Sequence, residues 1–124
     1  MRKNGLMFGD FLRQKRQKAN ITLRLFAQML GLSAPYVSDL ENSNRYPPDS
    51  KILEKMIEIL KLNPAEQEEF YDLAGEGRNE VAPDLTKYIN ENKMVRTALR
   101  RVKGKATPED WQRFIEIVEG KDKV

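Results

Sequence analysis

The side chains most often used for covalent and metal chemistry are missing from this 124-residue chain. With no His and no Cys, disulfides, thiolate or imidazole metal sites and the imidazole base of most nucleophilic triads are excluded. Acidic pairs such as Glu68 and Glu69 lie in a run that reads as a solvated helix face. No glycine-rich phosphate loop follows a strand, and no Ser and Lys protease segment is recognisable. The residues point away from an enzyme, and no metal or cofactor is expected. What remains is charge and hydrogen-bonding capacity. Residues 1–24 carry seven bases (Arg2, Lys3, Arg13, Lys15, Arg16, Lys18 and Arg24) against Asp10 alone, a net of +6. Residues 25–48 are net −1, residues 49–82 are net −5, and residues from 83 onward are net +3. A basic end beside an acidic middle suggests a polyanion-facing surface backed by a solvated or partner-facing one, while the formal total of +3 is equally compatible with ordinary solubility.

The elements that position these residues read as helices. Phe8, Phe11 and Leu12 share one side of a helix from about Phe8 to Lys18. Thr22 suits the N-cap of a second helix, Leu23 to Leu30, and Gly31 stops it. Ser33 caps a third, with Ala34 and Pro35 in its first turn and its end near Asn42. The stretch from Asn42 to Pro48 reads as a loop, and a fourth helix spans about Asp49 to Lys61. Asn63-Pro64-Ala65-Glu66 opens a fifth, expected to end near Ala74, with a linker from Gly75 to Glu80. Further helices carry Leu85, Tyr88 and Ile89, then Val95, Ala98, Leu99 and Val102, then Trp111, Phe114, Ile115 and Val118 behind the cap Thr107-Pro108-Glu109-Asp110. No strand-like alternation occurs, so the expected fold is all-α. The expected organisation is a domain over 1–75, a linker over 76–83 and a helical segment over 84–124. No apolar run is long enough to span a membrane, and the start leads into charged helix, so a soluble cytoplasmic protein is expected.

Two short helices joined at Gly31 and Leu32 form the specific signal. Helix-turn-helix geometry needs a small residue where the helices cross, a glycine in the turn and apolar residues docking the second helix. Ala27, Gly31, Val37 and Leu40 stand at those places, with Phe26, Leu30 and Leu32 behind them. From Phe8 to about Leu60, and most surely from Thr22 to Glu41, the sequence resembles the phage-repressor and Cro-like (XRE) helix-turn-helix family. Arg16, Glu41 and Asn44-Arg45-Tyr46-Pro47-Pro48 look like further marks of it. The resemblance implies a five-helix lambda-repressor-like DNA-binding domain, its third helix in the major groove and its second across the backbone. It also implies that Arg16 and Glu41 meet as a structural ion pair rather than contacting DNA.

The first turn of such a recognition helix and the residues one turn later face the groove, which selects Ala34, Pro35, Ser38 and Asp39 for base readout, with Tyr36 and Asn42 at the margin. The family often places glutamine or another long polar reader where Ala34 and Pro35 stand. Contact with thymine methyls, a hydrogen bond from Ser38 and acceptance by Asp39 from a cytosine amino group are the economical expectations. Tyr36 meets a phosphate or base edge, or packs against the second helix. Thr22, Arg24, Asn42, Asn44 and Arg45 are the expected backbone contacts, with Lys15 and Lys18 adding long-range attraction or a solvated surface.

A domain of this kind grips half a pseudo-symmetric site, so a homodimer is expected. The apolar residues from Leu85 onward would pair with a second copy, bind a protein partner or pack within the chain. Arg96, Arg100, Arg101, Lys103 and Lys105 offer either an auxiliary DNA contact or simple helix solubility. The expected function is sequence-specific binding of double-stranded DNA by a transcriptional regulator, in this family more often a repressor. The alternatives are an antitoxin-type autorepressor with a protein toxin partner and a helical adaptor that binds protein without DNA.

Overall fold

The computed structural model describes residues 6–121, so Arg2 and Lys3 of the basic amino-terminal count lie outside the described residues. The described residues form eight α-helices and no strand: α1 (Phe8–Lys18), α2 (Leu23–Leu30), α3 (Ala34–Glu41), α4 (Ser50–Leu60), α5 (Pro64–Arg78), α6 (Pro83–Glu91), α7 (Lys93–Val102) and α8 (Pro108–Gly120). Contacts divide the chain into two compact units, one up to Lys87 and one from Tyr88 onward.

Short polar caps start the helices of the first unit. Thr22 Oγ1 accepts from the Leu25 N–H at 3.1 Å, Ser33 Oγ from Tyr36 at 3.2 Å and Asp49 Oδ1 from Ile52 at 3.2 Å. Asn63 and Glu66 each accept the other's backbone N–H, completing a capping box at the start of α5. One apolar stripe from each of the five helices then meets in a single core. Phe11, Leu12, Phe26, Leu30, Val37, Leu40, Leu53, Met56 and Phe70 are fully buried there. Phe70 packs against Phe8 and Phe11, with ring centroids 5.2 and 5.9 Å apart. Burial of large side chains on this scale, about 1.5–3 kcal/mol for each, supplies most of the stabilisation of so small a unit.

The fifth helix does not end at Ala74, and the segment expected to begin a linker at residue 76 is helical as far as Arg78, with Asn79 as the left-handed C-cap at φ 56°. Gly75 and Gly77 are there for close packing. A Cβ on Gly75 would stand 2.8 Å from the Ala82 N and the Glu80 O, and one on Gly77 would stand 2.8 Å from the Pro47 side chain. Arg78 Nε donates to the Pro47 carbonyl at 2.8 Å, fixing the last turn of α5 to the loop before α4. Gly9 has the same role on α1, where a Cβ would lie 2.5 Å from the carbonyl oxygens of Leu40 and Glu41.

In the second unit, Arg96 Nη1 donates to the carbonyls of Ile89 and Asn90 at 3.0 and 2.6 Å, closing the end of α6 onto α7. Thr107 and Asp110 form a capping box on α8. The Thr107 N–H, the Thr107 hydroxyl and the Arg113 guanidinium hold the Asp110 carboxyl below the usual carboxylate range. No residue of α6, α7 or α8 is buried. Among the described residues, no helix is long and apolar enough to cross a membrane.

Candidate nucleic-acid interface

Gly31 joins α2 to α3 in the left-handed conformation, φ 73°, with its N–H bonded back to Gln28 O and the Leu32 N–H to Ala27 O. Glycine reaches this geometry without a Cβ clash, and the chain turns sharply enough for Ser33 to begin the next helix two residues later. Phe26, Ala27 and Leu30 of α2 are buried with Val37 and Leu40 of α3, so the two helices move as one body.

Burial of Val37, Leu40 and Glu41 leaves the opposite side of α3 open. Pro35 and Asn42 are exposed, and Ala34, Tyr36, Ser38 and Asp39 are partly exposed. Of the residues expected to read bases or border them, Pro35, Ser38, Asp39 and Asn42 share this outward side, while Ala34 and Tyr36 flank it and pack in part against the core, as the packing alternative for Tyr36 expected. Thr22 and Arg24 lie at the exposed start of α2, where the N–H groups of Leu23 and Arg24 have no intrahelical partner. Arg24 makes no side-chain hydrogen bond or ion pair among the described residues. A helix start of this form, beside a free guanidinium, suits a phosphate oxygen.

The other expected contacts follow α3. Asn44 N–H donates to Asp39 O at 2.8 Å, and Ser43 takes φ 63°, which folds the loop back along the helix. That fold carries Arg45 over the Tyr36 ring, 4.9 Å from its centroid, with Arg45 Nε 3.5 Å from Asp39 Oδ2. Asp39, Tyr36 and Arg45 are therefore one cluster on the outward surface. Arg45 and Asp39 remain 54% and 44% exposed, so both can still meet a ligand.

Behind the surface, Arg16 Nε donates to Glu41 Oε2 at 2.6 Å, Nη2 to Oε1 at 3.0 Å, and Nη1 to the Ile21 carbonyl at 2.9 Å. Glu41 is 3% exposed. Sequence reasoning gave Arg13 no position, yet its Nε lies 3.5 Å from Glu41 Oε1 and its Nη2 donates to the Glu41 carbonyl and to Asn42 Oδ1. Asn42 Nδ2 in turn donates to Ser38 Oγ at 3.4 Å. Arg13 is one helical turn before Arg16, and that spacing was the available signal. Lys15, expected to face outward, pairs instead with Glu66 Oε2 at 2.7 Å and sits 5.2 Å from the Phe11 ring centroid, tying α1 to the start of α5. The Lys15 ammonium and the Asn63 N–H hold the Glu66 carboxyl below the usual carboxylate range.

The arrangement has the parts of a duplex-binding surface: an open helix face with short side chains, flanking cations and unpaired helix-start N–H groups, all fixed by a buried ion pair. Among the described residues no cluster of carboxylates is suited to a metal. Residues 12–67 match the family model described as Helix-turn-helix. No curated protein and no solved structure matches the chain.

Proposed function

We propose that this chain, whose residues 12–67 match a helix-turn-helix family model, is a DNA-binding transcriptional repressor of the phage-repressor and Cro-like (XRE) kind that occupies an operator through α3, rather than an enzyme. The observation that carries the reading is the division of α3: Val37, Leu40 and Glu41 are buried while Pro35, Ser38, Asp39 and Asn42 stand on its open side. A face so presented fits the major groove. In this reading Ala34 and Pro35 meet thymine methyls, and Ser38 and Asp39 meet base edges. Thr22, Arg24, Asn42, Asn44 and Arg45 hold the backbone on either side.

Such a domain covers half a two-fold site, and the second unit has the surface to double it. On α8, Trp111, Phe114, Ile115 and Val118 recur at helical spacing and are all at least 40% exposed. An apolar stripe of this length belongs against a partner, and a second copy of the chain is the occupant that also supplies the second half-site. The repressor then acts in the cytoplasm as a homodimer, with residues up to Lys87 as the DNA-binding unit.

Selection of binding sites from random duplexes with the full chain, followed by affinity measurements across a salt series, tests the proposal. An enriched two-fold motif and a steep loss of affinity with salt are expected. No enriched motif and no salt-sensitive binding would refute it and favour the protein-binding adaptor.

A further inference from the structure

The second unit contains a second concentration of positive charge. Between Glu91 and Glu109 lie six bases and no acid. On α7, Lys93, Arg96 and Arg100 follow at i, i+3 and i+7 with Arg101 beside them, while Val95, Ala98, Leu99 and Val102 share the opposite face. Lys103 and Lys105 extend the basic face into the turn beyond.

An ordinary solvated face interleaves acids with bases, as α4 does with Lys51, Glu54, Lys55 and Glu58. The basic face of α7 is only partly suited to its own helix: Arg100 and Arg101 lie in the last turn, where the dipole favours cations, but the amino-terminal half is not so placed. Arg96 and Arg100 are a like-charge pair at i, i+4, which disfavours a helix. Lys93 occupies the first helical position, where the helix dipole favours an acid, and α7 has no acid in its first turn. Arg96 is engaged with the end of α6, but Lys93, Arg100, Arg101, Lys103 and Lys105 make no side-chain hydrogen bond or ion pair among the described residues. All five are exposed. A segment that presents five exposed bases with no acid among them, unpaired among the described residues, is complementary to an external polyanion.

We propose that this face of α7, continued by Lys103 and Lys105, is a second contact with the phosphate backbone of duplex DNA, independent of sequence and additional to the grip of α2 and α3. It rests on the reading of the first unit as a DNA-binding domain. That unit holds the chain on a duplex and so raises the effective phosphate concentration around α7. A membrane-surface helix would place Trp or Phe on its apolar side. The apolar side of α7 is built from Met94, Val95, Ala98, Leu99 and Val102 instead.

The test compares the full chain with the variant K93Q/R100Q/R101Q/K103Q/K105Q, after circular dichroism has established equal helix content. Binding is measured on a selected duplex and on an unrelated duplex of equal length over a range of salt. The variant should bind both duplexes at least about tenfold more weakly, with the logarithmic salt slope shallower by about 0.9 for each phosphate contact removed. Equal affinity and slope, with a parent that binds DNA strongly, would overturn the α7 contact alone. A parent that binds neither duplex would overturn this proposal together with the reading beneath it. Loss of binding to phosphatidylserine vesicles with DNA binding unchanged would identify a membrane surface and overturn the proposal as well.

Discussion

Arg16 and Glu41 join α1 to the last residue of α3 through two hydrogen bonds, 2.6 and 3.0 Å, inside a unit where Glu41 is 3% exposed. The pair sets the depth and rotation of α3 relative to α1, and Arg13 binds the same carboxylate from one turn earlier. Replacing Glu41 by Ala strands two guanidinium groups, so Glu41→Ala should lower stability by about 3 kcal/mol or more. Arg13→Ala removes a partly exposed partner and should cost about 1 kcal/mol or less. Denaturant melts of the two variants check this, and a Glu41→Ala midpoint equal to that of the parent would remove the structural role assigned to the pair.

Arg45 is held over Tyr36 and beside Asp39 before any duplex is met. Tyr36→Ala should therefore weaken DNA binding through loss of a platform, and the effect should shrink when Arg45 is already Ala. A stacked cation of this exposure corresponds to about 0.5–1 kcal/mol of coupling. A double-mutant cycle in binding affinity measures it. Full additivity would show that Tyr36 and Arg45 act separately.

Gly75 separates two readings of the end of α5. In an exposed helix or a flexible linker, Gly75→Ala would be neutral or would stabilise by about 1 kcal/mol through helix propensity. Against the backbone of Glu80 and Ala82 at 2.8 Å, the added methyl forces a shift and should destabilise by about 1–3 kcal/mol. The sign of the change in a thermal melt decides between them.

The Lys15–Glu66 pair gives the first unit an acid-sensitive link. The folded-state Glu66 carboxyl lies below its ordinary value because Lys15 and Asn63 bond to its ionised form. Its stabilising contribution is complete above the usual carboxylate range and is lost as pH falls through that range to the lowered value. The stability difference between the parent and Lys15→Ala should be present at neutral pH and vanish in acid. A difference unchanged across an acid titration would show that Lys15 acts through its contact with Phe11 instead.

Local rules made most of the helix starts legible. Thr22, Ser33, Asp49, Asn63 and Thr107 cap helices with their own side chains, a relationship confined to neighbouring residues. The end of α5 was not legible, because the partners that require Gly75 and Gly77 are Ala82 and Pro47, and only the folded chain brings Pro47 to Gly77. The same holds at the surface. The open side of α3 follows from helical spacing, whereas the seat of Arg45 over Tyr36 depends on the left-handed Ser43 that turns the loop back. The place of Arg13 is not legible in the sequence, since its partner, Glu41, lies far along the chain and is already matched to Arg16.

The open face of α3 is proposed to read base pairs. Repeating the selection from random duplexes with a Ser38→Ala, Asp39→Ala double variant tests it most directly, because neither substitution touches the core. The variant should still bind DNA with salt-sensitive affinity but enrich a motif altered at the positions these residues face, with discrimination there reduced by about 1–3 kcal/mol per base pair. An unchanged motif with unchanged discrimination would contradict this reading.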